Sequence, residues 1–82
     1  MFWSDSMQKL VRLISRKGEV TKKSQDIYDS GVGWYMITTK LKNKDIIYEK
    51  GRDDYNRKIW CLTEKGEELA EYIKKILKIL GE

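Results

Sequence analysis

The stretch YEKGRDDYNRKIWCLTEKG, residues 48–66, places a dense run of charges between apolar segments and closes on Leu-Thr-Glu-Lys-Gly. The segments DIIYEK (45–50) and RKIWCLT (57–63) are rich in β-branched and aromatic residues, and the residues between them include the turn formers Gly51, Asp53, Asp54 and Asn56. This pattern is typical of a β-hairpin whose loop is longer than two residues. We therefore expect a hairpin over about residues 46–62, with apolar side chains on both of its faces.

The segment that follows predicts a long final helix over about residues 63–80. Thr63 is its expected N-cap, and Gly66 in the first turn indicates a close approach of another backbone segment. Its apolar residues cover an arc of about 180–200°, whereas packing on one core needs only about 100°. This excess predicts a homodimer. The expected interface residues are Tyr72, Ile73, Ile76, Leu77, Ile79 and Leu80.

The beginning of the chain predicts another amphipathic helix. Met7, Leu10, Val11 and Ile14 recur at the spacing of one helix face. Ser4, Asp5 and Ser6 are candidate N-caps, and a basic last turn followed by Gly18 is a typical helix end. We therefore expect a helix over residues 4–17.

Residues 21–44 predict a helix-turn-helix. After a short extended segment at Glu19–Val20, Thr21 is the expected N-cap of a helix that breaks at Asp29–Gly31. A further helix is expected to begin near Gly33. Two glycines this close together favour the tight connection that a helix-turn-helix requires.

The helix that begins near Gly33 has two different faces. Trp34, Ile37 and Leu41 cluster on the inward side, with Thr38 at its margin. The opposite face carries polar and cationic side chains, namely Tyr35, Met36, Thr39, Lys40, Lys42 and Asn43. Such a face suits a DNA major groove, although an ordinary solvated helix face has the same pattern.

Charge is unevenly distributed along the chain. The 82 residues, enough for a single domain, carry a net charge of +4. Residues 1–63 hold thirteen Lys or Arg against eight Asp or Glu, whereas residues 64–82 hold four against five. A positive field over the first three-quarters of the chain favours an acidic partner such as nucleic acid. A Lys- and Glu-rich thermophile-like surface is the alternative explanation.

The residue types argue against an enzyme. There is no histidine and Cys61 is the single cysteine, so a Cys/His zinc site and Ser-His or Cys-His nucleophile pairs are excluded. We expect no metal, no cofactor and no catalytic residue, and the size of the chain supports no small-molecule site. No apolar run approaches the ~18 residues of a membrane span, and no secretory segment is evident. We therefore expect an intracellular, cytoplasmic protein that does not contact membranes.

The order of these elements resembles the winged helix-turn-helix family of DNA-binding proteins, especially the small MarR-like and related archaeal regulators. The resemblance is carried by TTKLKNKDIIYEKGRDDYNRKIWCLTEKGEELAEYI, residues 38–73. A recognition helix ending in Leu41, the pair Ile46–Ile47, a charged hairpin and Leu62-Thr63 with Gly66 follow the family's order. The resemblance spans essentially the whole chain and implies one α+β winged helix-turn-helix domain over residues 1–82. The abundance of Lys, Ile and Glu without proline favours an archaeal or archaeal-virus source.

The resemblance also implies how DNA is bound. The recognition helix would enter the major groove, where Tyr35, Thr39 and Asn43 hydrogen-bond base edges and Met36 meets thymine methyls. Phosphate contacts are expected from Lys22, Lys23, Ser24, Lys40 and Lys42, and from the wing residues Lys50, Arg52, Arg57 and Lys58. Because two aspartates at the wing tip would oppose phosphate, either they fold back onto Arg52 and Arg57 or the wing stays off the DNA.

Two functions follow from these expectations. The first is a sequence-selective, double-stranded DNA-binding protein that acts as a homodimeric transcriptional regulator. The alternative is a winged-helix docking module of a transcription or replication assembly, which would use the acidic wing tip, the Ile59/Cys61 face and the wide final helix. Salt dependence distinguishes them, because DNA binding through phosphates weakens steeply with ionic strength.

Overall fold

The computed structural model describes residues 4–22 and 31–81. These residues form an α+β arrangement of three helices and a two-stranded antiparallel sheet. The elements in chain order are α1 (Asp5–Lys17), α2 (Gly31–Asn43), β1 (Ile47–Arg52), β2 (Lys58–Leu62) and α3 (Glu64–Ile79). The helix expected after Thr21 falls mainly on residues 23–30, outside the described ranges. Within those ranges, no helix has the length and apolar character needed to cross a membrane.

Helix α1 follows the sequence prediction closely. The Ser4 side chain accepts a hydrogen bond from the Met7 backbone N–H at 3.3 Å and so caps the first turn. At the other end Gly18 adopts a φ of 88°, and its N–H donates to the Ile14 carbonyl at 2.7 Å. The four predicted inward residues are buried, and Leu13 is buried beside them. Helix α1 therefore supplies one wall of the core.

Helix α2 begins two residues earlier than predicted. Gly31 and Gly33 both lie in its first turn, so the expected break at Asp29–Gly31 is wrong at Gly31. A glycine costs only about 1 kcal/mol in a helix, so tertiary packing can override its preference for a turn. Thr38 is buried rather than marginal. Its hydroxyl is satisfied locally, because Oγ1 donates to the Trp34 carbonyl at 2.9 Å.

A left-handed corner joins α2 to β1. Asp45 has a φ of 60° and donates its N–H to the Lys42 carbonyl at 3.0 Å. The next residue, Ile46, donates to the Leu41 carbonyl at 3.0 Å. This pair of hydrogen bonds is a Schellman motif. In this motif the two residues that the outer bond joins, here Leu41 and Ile46, commonly make a hydrophobic contact. Leu41 and Ile46 belong to the same core cluster, so the corner explains their five-residue spacing.

The hairpin is confirmed, with Ile47 opposite Leu62 and Arg52 opposite Lys58. Its register shifts between Glu49 and Gly51, which leaves Lys50 as an extra residue on β1. On its other side β2 is joined by Val20, whose N–H and carbonyl bond the Trp60 backbone at 3.0 and 2.8 Å. The hairpin is thereby tied to the segment that follows α1.

Thr63 and Gly66 connect the start of α3 to the corner after α2. The Thr63 hydroxyl accepts from the Gly66 N–H at 3.0 Å and lies within hydrogen-bonding distance of the Asp45 and Ile46 carbonyls. The Thr63 N–H also donates to the Ile46 carbonyl at 3.0 Å. A Cβ added at Gly66 would overlap this carbonyl oxygen and lie 3.1 Å from Leu62 Cδ2. The predicted close approach is confirmed.

The wide apolar arc of α3 separates into two stripes. The inner stripe follows Gly66, Ala70 and Ile73, which are buried, and Leu77, which packs against the core while partly exposed. The outer stripe consists of Tyr72, Ile76, Ile79 and Leu80, all exposed. Ile73 is therefore a core residue of its own domain, and the structure corrects its assignment to a surface that a second chain could cover.

Candidate nucleic-acid interface

An open groove of about 430 Å³ lies between the outer face of α2 and strand β2. We call it the basic groove. Its described lining residues are Lys22, Trp34, Tyr35, Thr38, Thr39, Lys42, Asn43, Arg57, Lys58 and Trp60. Trp34 and Trp60 are buried and form an apolar floor. The side chains above that floor are polar or cationic, as expected of a surface that binds a polyanion.

The α2 side of the basic groove is a single helical stripe. Tyr35, Thr39, Lys42 and Asn43 are spaced at i, i+4, i+7 and i+8, which places them on one face. Tyr35 is 66% exposed, Lys42 and Asn43 are exposed, and Thr39 is half-buried. The burial of Leu41 on the opposite side fixes the rotation of the helix about its axis. Packing of the core therefore decides which side chains face the groove.

The basic groove has an unbalanced charge. Its described lining includes four cations, Lys22, Lys42, Arg57 and Lys58, and no carboxylate, although Arg57 is paired with Asp53 of the hairpin tip. Lys58 Nζ lies 5.9 Å from the centroid of the Trp60 ring, which keeps this ammonium beside the floor of the groove. Charges of one sign lining a cleft concentrate oppositely charged ligands there.

A second groove, of about 690 Å³, has the opposite charge. It lies beside Tyr48 and Cys61, a cross-strand pair on the hairpin face opposite Trp60. Its acidic lining consists of Glu64, Glu67, Glu68 and Glu71, accompanied by Lys74. A polyanion would be repelled from this side of the domain, so the charge distribution orients any nucleic acid toward the basic groove.

The groove unites seven of the predicted DNA-binding residues, namely Lys22, Tyr35, Thr39, Lys42, Asn43, Arg57 and Lys58. Met36 and Lys40 are exposed on α2 but do not line the groove, and Lys50 and Arg52 lie on the hairpin away from it. The predicted contacts Lys23 and Ser24 lie outside the described residues. The sequence prediction did not include Trp34 and Trp60 among the site residues. Their positions on the inward side of α2 and on the facing strand β2 are the feature of the sequence that could have indicated a shared floor.

Lys50 and Arg52, two predicted phosphate contacts, have carboxylate partners in the domain. Lys50 Nζ donates to Glu19 Oε1 at 2.8 Å, and this hydrogen bond raises the lysine pKa above its ordinary value. Arg52 Nε lies 3.6 Å from Glu49 Oε2, and its Nη1 donates to the Asn56 carbonyl at 3.2 Å. Both cations are exposed in these pairs, so a phosphate can compete with the carboxylate for each of them.

The hairpin tip, residues 53–57, is organised by Asp53. Its Oδ1 accepts from the Tyr55 and Arg57 backbone N–H groups, each at 2.9 Å, and its Oδ2 accepts from Arg57 Nε at 2.7 Å. The bond from the Arg57 N–H, followed by that from its side chain, lowers the pKa of Asp53. Asn56 completes the turn with a φ of 62°. Two alternatives were predicted for the tip. The first, in which the aspartates fold back onto the arginines, is observed for Asp53, whose carboxylate contacts Arg57.

The described residues contain no cluster of three or more His, Cys, Asp or Glu able to hold a metal ion. Cys61 is buried with a free thiol. No protein-family model matches the sequence, and comparisons with curated proteins and with solved structures give no significant match. The geometry and charge of the basic groove are therefore the main indication of what the domain binds.

Proposed function

We propose that this chain is a winged helix-turn-helix protein that binds double-stranded DNA sequence-selectively, as a homodimeric transcriptional regulator. The observation that supports this most strongly is the basic groove, in which one polar stripe of α2 is combined with two cations of the hairpin, Arg57 and Lys58. The thirteen residues of α2 span about 20 Å, and a major groove about 12 Å wide admits a single helix.

The stripe of α2 offers chemistry for reading bases. The Tyr35 and Thr39 hydroxyls and the Asn43 amide can each form hydrogen bonds with base edges, and an Asn amide suits the donor–acceptor pair of adenine. Met36, exposed on the same side of α2, supplies an apolar contact for a thymine methyl. Lys42, at the same groove, supplies attraction to phosphate that does not depend on sequence.

The outer stripe of α3 supports the homodimer. Ile76, Ile79 and Leu80 are exposed apolar side chains on one helix face, with Tyr72 beside them. A self-complementary helix face is most simply covered by twofold pairing with a second copy. Such pairing would present two α2 helices to one DNA duplex, with half-sites about 34–36 Å apart if they recognise a palindrome.

The test begins with selection of bound sites from random duplex DNA, followed by affinity measurements on the selected and a scrambled site over a range of salt concentrations. We expect Tyr35→Ala and Thr39→Ala each to cost about 1–3 kcal/mol on the selected site and little on the scrambled one. Lys42→Ala should weaken both and reduce the salt slope by about one. Lys74→Ala is the matched control, because Lys74 is a lysine of α3 that lines the second, acidic groove.

The same experiment tests the docking alternative. The observation that favours this alternative is the exposed, apolar outer stripe of α3, which could also bind a different protein. If the wild-type protein selects no sequence and shows no salt-dependent affinity for duplex DNA, the DNA-binding proposal is refuted. The α3 stripe then becomes the leading functional surface.

A further inference from the structure

Tyr55 at the hairpin tip is an exposed aromatic side chain with a fixed backbone. It is 75% exposed, the most of any tyrosine among the described residues. Tyrosine is enriched at interfaces, where its ring offers a large apolar area and its hydroxyl offers a hydrogen bond. Tyr55 was not among the residues that the sequence pattern assigned to DNA binding.

The surrounding bonds hold Tyr55 in place. Its backbone N–H donates to Asp53 Oδ1 at 2.9 Å, and the Asp53 and Arg57 backbones are joined by a bond of 2.9 Å. The Arg57 guanidinium lies 4.6 Å from the centroid of the Tyr55 ring. Because the turn and the ring are already positioned, binding through Tyr55 would sacrifice little conformational entropy.

Arg57 connects the tip to the basic groove. Its side chain lines that groove and at the same time packs on the Tyr55 ring. A nucleic acid lying in the groove would therefore pass beside Tyr55. Residues 48–58 hold four cations and three carboxylates, so beyond the cations that line the groove the hairpin adds little net positive charge. Its distinctive chemical group is the tyrosine ring.

We propose that Tyr55 stacks on a nucleobase at the edge of the DNA site, and that the preferred ligand is a duplex with an unpaired base at that position. This inference deepens the proposed DNA-binding function and depends on it. Any base offers a π-face to an aromatic side chain. In an intact duplex the neighbouring bases cover these faces, and exposing one costs least where a base is mismatched or already unpaired.

The experiment uses a short duplex of the selected sequence in which 2-aminopurine, opposite a mismatched base, is moved one position at a time across the site. Affinity and 2-aminopurine fluorescence are measured for the wild type, Tyr55→Ala and Tyr55→Phe. The matched control is Tyr48→Ala, because Tyr48 is 46% exposed on the same hairpin but lies at the acidic groove. Urea unfolding of each variant checks that the fold is retained.

One position should show tighter binding than the paired duplex and quenching of 2-aminopurine by the wild type. Tyr55→Ala should abolish the quenching and weaken binding there about 5- to 150-fold, the range for a single base–aromatic stack. Tyr55→Phe should retain both properties, because stacking needs the ring and not the hydroxyl. The salt slope should stay unchanged in both variants, since neither removes a charge.

Two results would overturn the inference while leaving DNA binding intact. In the first, Tyr55→Ala binds every duplex as the wild type does, although Lys42→Ala still binds more weakly. In the second, Tyr55→Phe loses as much affinity as Tyr55→Ala, which indicates a hydroxyl contact instead of a stack. Failure of the wild type to bind any of these duplexes would instead refute the proposed function itself.

Discussion

Replacement of Gly66 by alanine tests the junction on which the whole arrangement of α2, hairpin and α3 depends. An added Cβ would overlap the Ile46 carbonyl oxygen and lie 3.1 Å from both the Ile46 carbonyl carbon and Leu62 Cδ2. The Ile46 oxygen cannot simply move away, because it accepts a hydrogen bond from the Thr63 N–H at 3.0 Å. Relief of the overlap therefore requires separating the start of α3 from the α2–β1 corner.

Two opposing effects determine how much Gly66→Ala changes the free energy of unfolding. Alanine improves intrinsic helix propensity over glycine by about 1 kcal/mol. Separation of the two segments costs about 1–3 kcal/mol of packing, about 0.5–2 kcal/mol for a disturbed N-cap and about 1 kcal/mol for a backbone hydrogen bond. We expect a net loss of about 1.5–5 kcal/mol of unfolding free energy. In a domain of this size even the lower limit corresponds to a fall in Tm of about 6–12 °C.

The measurement is urea and thermal unfolding followed by circular dichroism, with Gly51→Ala as the matched control. A Cβ at Gly51 meets nothing within 4 Å, so this variant should be as stable as the wild type or up to about 1 kcal/mol more stable. If Gly66→Ala proves as stable as Gly51→Ala, the close approach at the junction does not constrain the fold and the reasoning fails.

Further predictions concern the dimer, the α3 cap and the hairpin tip. Because Ile79 is 84% exposed, the Ile79→Glu variant should be a folded monomer with reduced operator affinity. Leu77→Glu should in addition lower stability, because Leu77 packs against the core. Light scattering that gives a monomeric mass for the wild type at micromolar concentration would contradict the dimer. Thr63→Val should cost about 0.5–2 kcal/mol in urea unfolding, since it removes the side-chain cap of α3, and an unchanged midpoint would argue against that cap. The folded pKa of Asp53 is depressed, so its stabilisation of the tip is complete above the unfolded value and lost as pH falls through the lower folded value. Amide protection at Tyr55 should therefore be lost only at a pH below the ordinary pKa of an aspartate, and protection that persists unchanged once Asp53 is protonated would refute the role of the carboxylate.

Local sequence signals were sufficient for most element boundaries. The stripe from Met7 to Ile14 specified the buried face of α1, because helical periodicity is a property of neighbouring residues. The same holds for the hairpin and for the cap at Thr63, where the residue types themselves disfavour other local conformations. Gly66 was informative because only a missing side chain allows such close contact. The early start of α2 at Gly31 escaped prediction, since local preference for a turn is weak compared with packing.

The candidate site needed the tertiary structure. The sequence shows that α3 is apolar over a wide arc, but only its packing against the core separates buried Ile73 from exposed Ile76. Likewise, a list of hairpin cations does not reveal that Lys50 pairs with Glu19, thirty-one positions earlier in the chain. Within the described residues, the helix and hairpin segments could be predicted from the residue types, because those choices depend on residues a few positions apart. Which charges remain available to a ligand depends on distances between remote segments, and these arise only when the core brings the segments together.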